Sequence, residues 1–138
     1  MPVPISADVK AFLSQPHVAA LATVRPDGRP HVTPVWYEFE GNEFIVATLR
    51  SSQKVANVAR KGFAALTVYT TGMPYRHVIS EGTARVGSTL DNVWRERLAS
   101  RYLGEAAGRA YVRESGEWDV VAIHLRPIKW STQGFETS

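Results

Sequence analysis

The chain has 138 residues, 44% of them hydrophobic and 21% charged, so it is globular in composition and about one domain long, spanning 1–138. A chain of this size can bury roughly two thirds of its unfolded surface without a metal or disulfide staple, and it has no cysteine, which excludes disulfide frameworks, cysteine nucleophiles and thiolate metal sites together. The net charge of +3 comes from basic residues spread along the chain and interrupted by acids, as in Arg95-Glu96-Arg97, a distribution that suits an anionic small molecule better than nucleic acid.

The opening MPVPISADVKAFLSQ has no basic start ahead of an apolar core, and no stretch approaches the ~18 apolar residues of a membrane span. The expectation is a cytoplasmic protein without a membrane partner. From Ser6 to Ser14, Val9, Phe12 and Leu13 recur at helical spacing, with Ser6 or Asp8 as caps. Val18 to Arg25 is a short apolar run closed by Pro26-Asp27-Gly28, and Pro30 to Phe39 resumes the strand pattern, a hairpin signal. Glu40-Gly41-Asn42 makes the next turn before Glu43 to Leu49. Between Ser51 and Lys61 the spacing of Val55, Val58 and Ala59 predicts a helix that Gly62 ends.

Phe63 to Thr70 and Tyr75 to Val86 form a second hairpin around Thr71-Gly72-Met73-Pro74, with a bend or bulge at Gly82. Ser88-Thr89-Leu90-Asp91 has the form of a capping box, and Leu90, Val93, Trp94, Leu98 and Tyr102 supply one helical face as far as about Gly104. A short helix around Ala110 precedes a last strand, Trp118 to Leu125, and a polar tail. Six strands in mostly consecutive antiparallel order predict a mainly β fold, a small barrel with helices over its ends. Pro30 and Pro34 donate nothing to a ladder, so the second strand is irregular and leaves backbone groups free for a flat polar ligand.

Three constellations could carry chemistry. Arg50-Ser51-Ser52-Gln53-Lys54 lies where a strand runs into a helix, so two hydroxyls, two cations and unpaired N–H groups meet at a positive helix terminus that attracts phosphate. The same residues also suit a plain serine cap with both cations in water. Thr33-Pro34-Val35-Trp36-Tyr37, after His31, could hold a ring system, although Trp36 and Tyr37 point to opposite faces and at least one belongs to packing. Tyr75-Arg76-His77 sits at a hairpin mouth, where a solvated loop end is the plainer reading, and Lys129-Trp130 either closes a core or covers a ligand. There is no G-x-S-x-G elbow, H-E-x-x-H pair, Walker loop or G-x-G-x-x-G after a strand. His17, His31, His77 and His124 show no ligand spacing, so no metal site is expected and a cofactor would have to carry any reaction.

The stretches LATVRPDGRPHVTPVWYEFEGNEFIVAT, RSSQKVANVARKGFAALTV and PYRHVISEGTARV, in that order, resemble the pyridoxamine-phosphate-oxidase-like split β-barrel flavoproteins, and most of all the actinobacterial branch that uses the deazaflavin coenzyme F-420. The likeness runs over residues 15–104 and more loosely over the final strand. It implies a six-stranded antiparallel split barrel and a homodimer with cofactor sites between subunits. The activity it implies is hydride transfer from the bound deazaflavin to an unsaturated small-molecule acceptor. By the same resemblance Lys54, with Ser52 and Gln53, falls on the phosphate-contacting segment, and Arg50 could reach the same anion. Thr33, Pro34, Val35 and Trp36 fall on the strand lining the ring. Tyr75, Arg76 and His77 match a hairpin that approaches from the partner chain, and Lys129 with Trp130 a C-terminal cover. The chain is shorter than the oxidases proper and has one cation, Lys54, where they have an Arg-Lys pair. FMN as cofactor and a non-catalytic cofactor- or haem-binding module are the rival expectations.

Overall fold

The computed structural model describes residues 5–135. The elements are α1 (Ala7–Leu13), β1 (Ala19–Val24), β2 (Pro30–Val35), β3 (Tyr37–Glu40), β4 (Glu43–Leu49), α2 (Gln53–Arg60), β5 (Phe63–Tyr69), β6 (His77–Thr89), α3 (Asn92–Leu103), α4 (Glu105–Glu114) and β7 (Val120–Gln133). The strands form one antiparallel sheet in the order β2-β1-β5-β6-β7-β4-β3. Alternation dictates which face is inside: Ala19, Leu21 and Thr23 point in from β1, Phe44 and Val46 from β4, Leu66 and Val68 from β5. These residues, with Tyr37, Val121, Ile123 and Leu125, build the core that α1 closes through Val9, Phe12 and Leu13. No helix among the described residues is long and apolar enough to cross a membrane.

Seven strands replace the six that the pattern predicts, because the run Pro30 to Phe39 is cut at Trp36. Pro34 offers no N–H to a ladder, and Trp36 turns out of the sheet to stack on Tyr102, with ring centroids 4.8 Å apart and planes 6° from parallel. The Tyr37 N–H donates instead to the Tyr102 hydroxyl at 3.1 Å. The two halves then part company: β2 pairs with β1 and β3 with β4, so one residue joins the two edges of the sheet.

The helices also depart from the pattern at their ends. Ser6 caps α1 as expected, accepting from the Val9 N–H at 3.2 Å, but α3 is capped by Asp91, which accepts from the Trp94 N–H at 2.8 Å, while Ser88 and Thr89 finish β6. Val93 points to solvent at 80% exposure, and α3 buries Arg95, Leu98 and Ala99 instead. Residues 105–114 form the whole helix α4, whose Gly108 meets the α3 backbone at Ser100 with no room for a Cβ. The last strand runs on to Gln133 because Arg126–Gln133 pair with the first half of β6.

The expected irregularity at Gly82 is there. Glu81 faces Lys129 and Gly82 faces Pro127, so Ile128 is the extra residue of a bulge, and the Arg126 carbonyl occupies the space a Cβ at Gly82 would need. Gly82→Ala should therefore destabilise the fold by about 2 kcal/mol or more, a fall in melting temperature of roughly 6 °C or more for a chain of this size. Gly116→Ala, where a Cβ meets only ordinary contacts at 3.5 Å, serves as the control, and thermal denaturation of both variants checks the difference.

Candidate active site

A cavity of about 420 Å³ opens where the β2–β3 break, the end of β4, the first turn of α2 and the α3–α4 hairpin meet. Its walls are aromatic. Trp36, backed by Tyr102, stands beside Tyr111 at 5.5 Å, and Tyr111 meets Trp118 edge to face at 6.2 Å. Ala47, Thr48, Leu98 and Ala99 line it as well, and two cations, Lys54 and Arg95, complete the lining.

Lys54 is half-buried and forms no ion pair among the described residues. Burial holds its ammonium below the ordinary lysine range. Beside it, Ser52 occupies the N-cap position of α2, yet its side chain makes no capping bond and lies 3.3 Å from the Thr48 hydroxyl. The first N–H groups of α2 thus keep their donors free of that cap. The imidazole of His31 is also held below its usual range, first by burial and then by the charges of Arg25 and Lys54. On the same strand the Nδ1 of His31 and Oγ1 of Thr33 are buried without a partner among the described residues. A half-buried cation without an ion pair among the described residues, beside free helix N–H groups, is what an anionic ligand would satisfy.

Of the residues singled out from the sequence, the cavity brings together Pro34, Val35, Trp36 and Lys54, with Ser52 adjoining through Thr48. The others lie elsewhere on the chain. Arg50 is engaged by Asp119 at 2.8 Å and by the Thr89 hydroxyl at 2.6 Å. Gln53 donates to Asn57 at 2.7 Å, and Asn57 to Thr23 at 3.0 Å in a buried bond that ties α2 to β1. Arg76 lines a separate depression with Tyr69 and Met73, next to exposed Tyr75, while His77 opens β6 opposite Gln133. Lys129 faces Glu81 in the ladder, and Trp130 packs on Phe39 and Phe44. Sequence reasoning missed Thr48, Arg95, Tyr111 and Trp118. Their only signal was an arginine on the apolar side of a helix and aromatic residues flanking an indistinct segment.

A family model described as pyridoxamine 5′-phosphate oxidase matches residues 5–134. The chain belongs to that family. It is by that membership an oxidoreductase. An F-420H(2)-dependent biliverdin reductase of Mycobacterium tuberculosis is 39% identical over 102 residues, 71% of this chain and 72% of that protein. A solved F-420 reductase superposes with a TM-score of 0.74 at 28% identity, covering 94% of this chain and 98% of its own. The haem storage protein HutZ from Vibrio cholerae shares the fold alone, at 16% identity and a TM-score of 0.71 over 96% of this chain and 97% of that one.

The lone ammonium has a measurable consequence. Because burial lowers the folded-state pKa of Lys54, the unfolded chain binds its proton more tightly. The penalty is present in full at neutral pH and is relieved as pH climbs towards the ordinary value of 10.5. Lys54→Met should raise the melting temperature of the ligand-free protein at pH 7, and the gain should shrink at alkaline pH, as read from paired thermal melts.

Proposed function

We propose that the protein is a homodimeric reductase that uses reduced coenzyme F-420 to deliver hydride to an unsaturated organic acceptor. The observation that carries this is the half-buried, unpaired Lys54 beside the uncapped start of α2, in a cavity walled by aromatic rings. The mycobacterial relative supports the choice of deazaflavin. When bound, the deazaflavin supplies the hydride, and a proton from solvent completes the reduction.

The chain's own residues bind, orient and exclude water. Lys54 and the first N–H groups of α2 hold the anionic part of the cofactor, with Ser52 within reach. Pro34 to Trp36, with Thr33 preceding them on the strand, set the edge of the ring through backbone groups. Trp36 is fixed in its orientation by the stack on Tyr102, so the acceptor meets a preset face. Tyr75, Arg76 and His77, remote from this cavity in one chain, are assigned to the partner subunit's side of the same site, and Lys129 with Trp130 to a C-terminal cover. Exposed Ile79 and Ile128 on β6 and β7 are consistent with an interface between copies.

FMN is the rival cofactor, since the same anion cradle would take its phosphate. With Arg50 engaged by Asp119, however, Lys54 stands alone on the first turn of α2, which disfavours tight FMN retention. The protein should accordingly purify colourless from a host that makes no deazaflavin, and should bind F-420 in a fluorescence titration well below the concentration at which it binds FMN. Lys54→Glu should weaken F-420 at least about tenfold, the loss of a charge-assisted contact. Biliverdin, on which the relative acts by its name, is the first acceptor to try. Unchanged F-420 affinity in Lys54→Glu, or a yellow protein that keeps FMN, would overturn the assignment.

A further inference from the structure

Arg95 lines the same cavity at only 6% exposure, and among the described residues no carboxylate pairs with it. Its partners are neutral: one terminal nitrogen donates to the Ser115 carbonyl at 3.1 Å and hydroxyl at 2.8 Å, the other to Asn92 Oδ1 at 3.4 Å. A guanidinium carries five N–H donors, and the described residues take up three of them. Ser115 is the C-cap of α4, and the negative end of a helix offsets only about half a charge. A buried cation left in that state is unfavourable unless something else neutralises it. The bonds to Ser115 meanwhile fix the guanidinium in place, as a preorganised anion site requires.

We propose that Arg95 is the counter-ion of an acidic acceptor: the cavity takes a planar conjugated molecule whose carboxylate pairs with Arg95 while its face lies against Trp36 and Tyr111. This rests on reading the cavity as the acceptor site of the reductase proposed above. The aromatic walls select the conjugated body, since flat π-faces stack on tryptophan and tyrosine, and the charge selects acids over neutral analogues of the same shape. Arg95 thus sets specificity, while Lys54 serves the cofactor.

The test uses the cofactor-free full chain, calorimetry, and a matched pair of probes, 2-naphthoate and methyl 2-naphthoate. The wild type should bind the acid about tenfold more tightly than the ester, the worth of a charge-assisted pair. Arg95→Met should abolish that preference while leaving ester affinity unchanged, and Arg95→Lys should retain part of it. Lys54→Met should keep it. A purely structural clamp on α4 would change melting temperature in the Arg95 variants and leave the acid-to-ester ratio untouched. Equal binding of acid and ester by wild type, no binding of either, or loss of the preference in Lys54→Met rather than Arg95→Met would overturn the proposal. If Arg95→Met does not fold, the ratio in Arg95→Lys against wild type decides, an undiminished preference counting against Arg95. The F-420 titration is a separate measurement, so an acid preference without F-420 binding would sink the cofactor reading alone, and F-420 binding without the preference would sink this one.

Discussion

Two neighbouring residues near the end of α3 hold the strand-broken edge of the barrel in place. Arg101 donates to the carbonyls of Leu13, Ser14 and Gln15 as the chain leaves α1, supplying both the donors and the positive charge that a helix C-terminus lacks. Tyr102 donates to the His17 carbonyl at 2.7 Å, accepts from the Tyr37 N–H, and presents its ring to Trp36. The Tyr37 hydroxyl, fully buried and held well above the usual phenol range by that burial, donates to the Leu13 carbonyl at 2.9 Å. α1, β3 and α3 thereby meet through backbone atoms, among them the Leu13 carbonyl, whose bond to Tyr37 is buried and whose loss would cost about 1–3 kcal/mol. The site inherits its geometry from this junction, since the same tyrosine that restores the hydrogen bonds lost at the strand break also sets the plane of Trp36.

The electrostatics of the cavity run against stability. Several other cations find carboxylate partners: Arg97 makes a two-pronged pair with Glu38, Arg50 joins Asp119, and Glu43 is bonded to His124 at 2.8 Å and approached by Arg85. Among the described residues Lys54 and Arg95 pair with no carboxylate, although both are withdrawn from water. A fold shaped only by stability would pair or replace them, and local departures from that rule are where binding energy is stored. An anion that enters the cavity recovers what folding left uncompensated.

Much of this was legible in the residues. Strand alternation is strong wherever one face is buried, as in AALATV and EFIVATL, and Gly82 announced its bulge because no side chain fits there. The junction at Ser52 and Lys54 was visible because helix starts have a local grammar. What escaped was set by distant parts of the chain. Arg50 is claimed by Asp119, 69 residues away, and no local pattern shows that. The cut at Trp36 depends on Tyr102, and the value of Arg95 depends on Ser115 at the end of α4, 20 residues away. Val93 fits the helical spacing yet faces water, because the groove that α3 occupies is lined on the side of Leu98 and Ala99.

The two outermost strands of the sheet, β2 and β3, are successive segments joined through Trp36 alone. The circuit of strands is thus completed by a covalent link where a ladder would otherwise stand. Neither end of the sheet can swing away without dragging the other. The α3–α4 hairpin, which lies outside this loop of backbone, supplies the opposite wall of the cavity.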